Sequence, residues 1–138
     1  MRLRFVLDTN VFSELVRPSP DESVVERVTA AAGVIAIAAP SWHELWFGVE
    51  RLARSRRRSA LVAYLERLAD AITVLPYDAS AARWHARERA RLEARGRVVP
   101  FVDGQIASIA CTRALTLVTR NVRDFAPFDD LVVERWHS

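Results

Sequence analysis

Lysine is missing altogether from the 138 residues; every one of the 20 basic residues is arginine. That absence excludes Schiff-base enzymes, cofactors held on a lysine, the phosphate loop with its lysine, and the kinase catalytic set. Arginine still grips phosphate through its planar fork, so phosphate recognition remains open. Cysteine occurs once, at Cys111, which rules out an internal disulfide and gives no sign of an oxidising compartment. Long apolar runs are missing too. Phe5-Val6-Leu7 stops at Asp8, too short for a signal peptide. The longest run, Ala30 to Ala39, falls well short of the roughly 20 residues a membrane helix needs. The expectation is a soluble, cytoplasmic protein without a membrane partner.

What is present is an ordinary globular composition, 51% apolar and 27% charged. The length suits one domain over residues 1–138. A chain of this size buries roughly two-thirds of its unfolded surface and needs no structural metal to fold.

Apolar patterning alternates between short buried strands and helices. Strands are expected at 3–7, 34–38, 73–75, 116–118 and 131–133. Helices are expected at 10–17, 21–32, 41–53, 59–71, 79–95 and 103–113. Gly33 and Gly96 close two of them. Ser41-Trp42-His43-Glu44 has the form of a capping box opening the third helix. Strands alternating with helices predict an α/β fold, a mostly parallel sheet covered on both faces. In such sheets the functional crevice lies outside the carboxyl ends of the strands.

Polar residues gather at those ends. Asp8 follows the first strand, Glu44 lies in the first turn after the second, and Asp103 opens a helix after an apolar stretch. Thr119, Arg120 and Asn121 follow the fourth strand, with Asp124 three residues on. Each has a plain structural explanation. Asp8 and Asp103 are good helix N-caps, Glu44 is a capping-box partner, and Asp124 suits a turn. Together they form an acidic cluster at one sheet edge, costly to desolvate and relieved by a divalent cation. Oxygen ligands without His or Cys suit Mg²⁺ or Mn²⁺, and such a site performs metal-assisted chemistry on a phosphate.

The ordered segments Val6-Leu7-Asp8-Thr9-Asn10-Val11, Ser13-Glu14-Leu15, Glu44-Leu45 with Phe47-Gly48-Val49-Glu50, Asp103-Gly104-Gln105-Ile106-Ala107, and Leu117-Val118-Thr119-Arg120-Asn121 with Asp124-Phe125 resemble the PIN-domain family. Within it they resemble the VapC-type toxins of bacterial toxin–antitoxin pairs. The resemblance implies a three-layer α/β/α sandwich and a Mg²⁺- or Mn²⁺-dependent endoribonuclease acting on tRNA or rRNA. It also implies a cognate VapB-type antitoxin and a homodimer. By position, Asp8 and Asp103 match the family's metal-binding acids, Glu44 its third acid, and Thr9 and Thr119 hydroxyls near the site. Asn10 belongs to the first motif. Many relatives carry Asp where Asn121 stands, and Asp124 is placed to supply the missing charge.

Basicity concentrates in the middle third. Residues 51–100 carry twelve arginines against five acids, net +7. Arg54 to Arg58 is expected in a turn. Arg83, Arg87, Arg91 and Arg95 repeat every four residues, which makes either a solvated helix face or a nucleic-acid contact. A basic face meeting an acidic antitoxin is a third reading. Trp84 and Trp136 are read as core, with base stacking as the alternative. His43, His85 and His137 show no ligand spacing. Two other functions stand beside the nuclease. One is a PIN-like module that binds RNA or a partner without cleaving it, for which Asn121 speaks. The other is a receiver- or phosphatase-type domain, disfavoured by the missing lysine and by Asp-Thr-Asn in place of Asp-x-Asp.

Overall fold

The computed structural model describes residues 2–138. Five short strands form one sheet: β1 (Phe5–Leu7), β2 (Ile35–Ala38), β3 (Thr73–Leu75), β4 (Thr116–Val118) and β5 (Val133–Glu134). Their spatial order is β3-β2-β1-β4-β5, and every pairing is parallel. The helices are α1 (Thr9–Leu15), α2 (Glu22–Ala30), α3 (Ala39–Glu50), α4 (Arg56–Ala71), α5 (Ala79–Ala94), α6 (Phe101–Cys111) and α7 (Val122–Phe125).

Strand side chains alternate between the two sheet faces, and the core follows that period of two. Val6, Ala36, Ala38 and Leu117 point to one side, where Ala81 and Leu92 of α5 and Ile106, Ala107 and Ala110 of α6 cover them. Leu7, Ile35, Ile37 and Val118 point to the other, under Val11 and Phe12 of α1 and Val24 of α2. β2 is buried at all four positions, as expected of a strand covered on both sides. Three layers result.

β1 sits between β2 and β4. The chain leaves β1 toward one side of the sheet and later returns on the other. This switch point opens a crevice at the carboxyl ends of β1 and β4. Asp8 and Thr119 are the residues that follow those two strands.

Several boundaries differ from the sequence reading. α3 begins at Ala39, with Pro40 in its first turn and no side-chain cap; proline's fixed φ suits that position. Ser41-Trp42-His43-Glu44 is therefore not a capping box. Phe101 and Val102 precede Asp103 within α6, whose N-cap is Pro100, so Asp103 does not cap its helix. Arg56 to Arg58 form the first turn of α4, capped by the Ser55 hydroxyl accepting the Arg58 amide at 3.0 Å, rather than a connecting turn. The short α7 was not expected, and β5 starts two residues later than the patterning suggested. Gly96 does close α5: it takes φ +72°, and the amides of Gly96 and Arg97 return to the carbonyls of Glu93 and Leu92.

Candidate active site

β1 ends where its last amide-bonded neighbour, β4, also ends. The Asp8 amide donates to the Val118 carbonyl at 2.8 Å, so Asp8 is fixed to the sheet before its side chain is considered. That side chain caps α1, with Oδ1 accepting the Thr9 amide at 2.8 Å. The capping explanation is therefore correct, but incomplete. Oδ2 accepts the Thr119 hydroxyl at 2.9 Å, and the Asn10 amide approaches it at 3.4 Å. The Ser41 hydroxyl, on α3, reaches Oδ1 at 3.5 Å. A cap needs one donor; Asp8 has four, contributed by three separate elements.

These donors hold one another. The Asn10 amide also donates to Thr119 Oγ1 at 3.3 Å, and its carbonyl oxygen accepts the Arg120 amide at 3.0 Å. Thr119 Oγ1 accepts the Asn121 amide at 3.1 Å. Asp-Thr-Asn after β1 and Thr-Arg-Asn after β4 are thus stitched together across the switch point.

Asp8, Glu44, Asp103 and Asn121 line one open cleft of about 580 Å³, together with Thr9, Asn10, Ser13, Glu14, Arg17 and Arg120. Burial raises the proton affinity of Asp8. The Thr119 hydroxyl, the Thr9 amide and Ser41 pull it back, and the charge of Glu44 adds to the rise. Asp103 is pushed up to about 6, first by burial and then by repulsion from Asp8 and Asp124. Asp124 does not line the cleft, although its charge reaches Asp103. Among the described residues, no Arg or His forms an ion pair with Asp8, Glu44, Asp103 or Asp124. The cleft concentrates negative charge and leaves it uncompensated.

This donor set suits a hard divalent cation. It offers carboxylate, amide and hydroxyl oxygens, with no thiolate or imidazole. Among the described residues no three His, Cys, Asp or Glu side chains close a full cage. A pair of carboxylates with water and substrate phosphate completing the shell is the arrangement that fits, and it is the usual one for Mg²⁺.

The sequence reading missed Ser13, Ser41 and Arg17. Ser41 and Glu44 are three residues apart and share one helix face. That signal was present, but the capping-box reading, which spent both side chains on the amides of their own helix start, hid it. The arginine stripe is split. Arg91 is drawn into the fold, bonded to Glu88 at 2.8 Å, to Asp129 at 3.4 Å and to the Pro127 carbonyl at 2.9 Å. Arg83 and Arg87 on α5 and Arg95 at its C-cap are exposed and do not line the cleft. Trp136 is buried edge-on against Phe5 at 5.0 Å, and Trp84 packs on Phe128 at 6.0 Å, so both serve the core.

Residues 5–131 match the PIN domain. The chain belongs to the PIN-domain family. It is 36% identical to the tRNA(fMet)-specific endonuclease VapC of Shigella flexneri, covering 97% of this chain and 98% of that one. It is 40% identical to ribonuclease VapC5 of Mycobacterium tuberculosis, over 90% and 87%. The crystal structure of DNA-bound VapBC from Salmonella typhimurium superposes with a TM-score of 0.83 at 32% identity, covering 97% and 98%. The PIN sheet order and the switch-point cleft described above are therefore those of a protein similar to named nucleases. No helix among the described residues is long and apolar enough to cross a membrane.

Proposed function

We propose that this PIN domain is a Mg²⁺-dependent endoribonuclease, with Mn²⁺ as an alternative metal, and the toxin of a VapBC-type pair whose substrate is structured RNA, tRNA or rRNA. The observation that carries the reading is the carboxylate pair Asp8 and Asp103, raised in proton affinity and without a cationic partner, in the cleft at the switch point. The names of the nuclease relatives support it.

Asp8 and Asp103 would hold the metal. When bound, the ion would supply water activation and charge neutralisation on the phosphate. Asp8 is oriented for this by Thr9, Thr119, Asn10 and Ser41, so its carboxylate loses little freedom on binding. Glu44, across the cleft, is the group assigned to orient the attacking water and take its proton. Asn121 offers a neutral amide at the cleft wall. Asp124 adds charge near Asp103 from outside it. In-line attack on phosphorus leaves a 5′-phosphate and a 3′-hydroxyl.

The antitoxin is assigned to a groove of about 980 Å³ between α1, α3 and α4, lined by Phe12, Leu45, Val49, Leu61 and Tyr64. The Tyr64 hydroxyl is buried there without a partner. Thr9, Ser13, Arg17 and Glu44 line both groove and cleft, so a segment seated in the groove covers the cleft mouth. Exposed Phe47 and Phe101 are offered for a homodimer contact.

Purified protein free of any antitoxin should cut a mixed tRNA and rRNA pool at discrete positions with Mg²⁺, and not in EDTA. Asp8→Asn should abolish the cuts. RNA binding without cleavage under every metal condition would replace the nuclease with the binding module and point to Asn121 as the missing ligand.

A further inference from the structure

We propose that Arg17, Arg120 and Arg135 form a subsite for the RNA backbone, where the strand leaves the acidic cleft, and that the exposed arginines of α5 do not; the assignment of RNA rests on the nuclease reading above. A small cavity of about 190 Å³ adjoins the cleft and shares Glu14, Arg17 and Arg120 with it. Its remaining wall includes Arg135 and His137, from the segment that follows β5.

Three arginines line this cavity, two of them tied to the fold through backbone groups. The Arg120 backbone is fixed, its amide donating to Asn10 Oδ1 at 3.0 Å within the network that orients Asp8. Arg135 lies against it, with Nη1 donating to the Arg120 carbonyl at 2.7 Å. Neither side chain has an acidic partner among the described residues, and both are exposed. Arg17 touches Glu14 through one nitrogen at 3.3 Å, while its side chain stays 60% exposed. The two acids in the wall reach neither Arg120 nor Arg135. Glu14 accepts the Asp21 amide at 2.9 Å, and Asp21 caps α2 and accepts Ser138. His137 is buried in the same wall, with Nε2 3.6 Å from the Glu14 carboxylate and neither ring nitrogen in a hydrogen bond. Arg120 and Arg135 thus carry charge that no acid pairs with, and a phosphodiester beside the reacting one would accept hydrogen bonds from both.

The position also answers a requirement of the cleft. The carboxylates without ion-pair partners repel a polyanion, so cations in the cleft wall help to admit the strand. Arg17 and Arg120 line the cleft, and the α5 stripe does not.

The test is binding of a short fluorescein-labelled single-stranded RNA, read by anisotropy across a salt series in EDTA, so that no cleavage intervenes. Each phosphate contact contributes about 0.7 to the slope of log affinity against log salt for single strands. The double variant Arg120→Ala with Arg135→Ala should lose about 1.4 of slope by that measure. The matching lysine variants should keep it, because charge is retained at both positions. Arg83→Ala, Arg87→Ala and Arg95→Ala combined should leave the slope as in the wild type. An unchanged slope in the double variant overturns the subsite, as does an equal loss in the α5 variant or no RNA binding by the wild type. Mg²⁺-dependent cleavage of the same RNA, assayed alongside, reports on the nuclease reading separately. Arginine-dependent binding without cleavage keeps the subsite and removes the nuclease.

Discussion

Asp103→Asn should make the metal-free protein more stable at neutral pH, which is the reverse of what losing a half-buried polar charge in a helix first turn ordinarily does. Asp103 rises from 3.8 to about 6, because burial and the charges of Asp8 and Asp124 disfavour its ionised form. At about 1.36 kcal/mol per unit, the full shift corresponds to about 3 kcal/mol. Asp103 remains partly open to solvent, which screens the interaction, so about 1 kcal/mol is the expected net effect. The favourable field at the amino end of α6 opposes the gain and lies within that allowance. The sign follows from linkage. The native state binds this proton more tightly than the unfolded chain does, so stability is lost as pH rises from about 4 to about 6. Urea denaturation in EDTA should find the wild type and Asp103→Asn equally stable near pH 4. They should diverge through that window, the variant leading by about 1 kcal/mol above it, or about 3–5 °C in Tm. Adding Mg²⁺ should stabilise the wild type and not the variant, by simple mass action on the native state. A variant less stable than the wild type at neutral pH, or a gap that does not change with pH, would refute the claim that the cleft holds uncompensated charge.

Two further outcomes follow from the same geometry. Thr119→Val preserves shape but removes the hydroxyl that donates to Asp8 at 2.9 Å and accepts the Asn121 amide. Nuclease activity should fall about 10- to 100-fold, the usual cost of losing a group that orients a metal ligand. Mg²⁺ affinity at fixed pH should fall with it, since Thr119 orients Asp8 and lowers its proton affinity; unchanged Mg²⁺ affinity in the variant argues against Thr119 as the group that presents this ligand. Gly104→Ala should destabilise by about 2–3 kcal/mol, because its Cβ would clash with the His85 ring at Nε2. The ring cannot retreat easily: it is buried, held by the Tyr77 hydroxyl at 2.8 Å and packed on Phe101 at 4.7 Å. Chemical denaturation in a His85→Ala background should show that penalty nearly gone, and a penalty that survives there would place the clash elsewhere.

Much of this was legible in the sequence because strand periodicity and strand-end polarity obey strong rules. Phe5 to Leu7 and Ile35 to Ala38 are buried on both faces, and few other placements suit such short apolar runs. Once those strands are parallel, Asp8 and Thr119 must share an edge, although 111 residues separate them. What failed were judgments between two local explanations of one pattern. Ser-x-x-Glu reads as a capping box, yet Ala39-Pro40 starts the helix earlier and turns Ser41 and Glu44 toward the cleft. Asp103 reads as a cap, yet Pro100 takes that role and leaves Asp103 one turn inside. The arginine stripe was sound as a period of four, but a period does not say which members find acids. Glu88 is nearly buried and accepts Arg91 at two atoms as well as the Asp129 amide, a tertiary contact across 41 residues that no local spacing reveals.

Asp8 and Asp103 are unequal partners, and the inequality bears on how the site works. Asp8 is 8% exposed and held by four donors, so its geometry is set by folding. Those donors offset part of its burial, and removing any of them shifts both orientation and proton affinity. No side-chain or amide hydrogen bond reaches Asp103 among the described residues; it sits on the first turn of α6 with repulsion from two sides. Its position depends on how α6 packs, and that packing runs through Gly104 against His85. Metal affinity at neutral pH should therefore depend most steeply on the network around Asp8, which presents the ligand ready-made. The fall of activity toward acid should be governed by Asp103, whose proton must leave near pH 6 before the second ligand exists. One carboxylate supplies geometry and the other supplies the pH threshold. Perturbing the Asp8 network should move affinity at fixed pH, whereas loosening α6 should move the threshold.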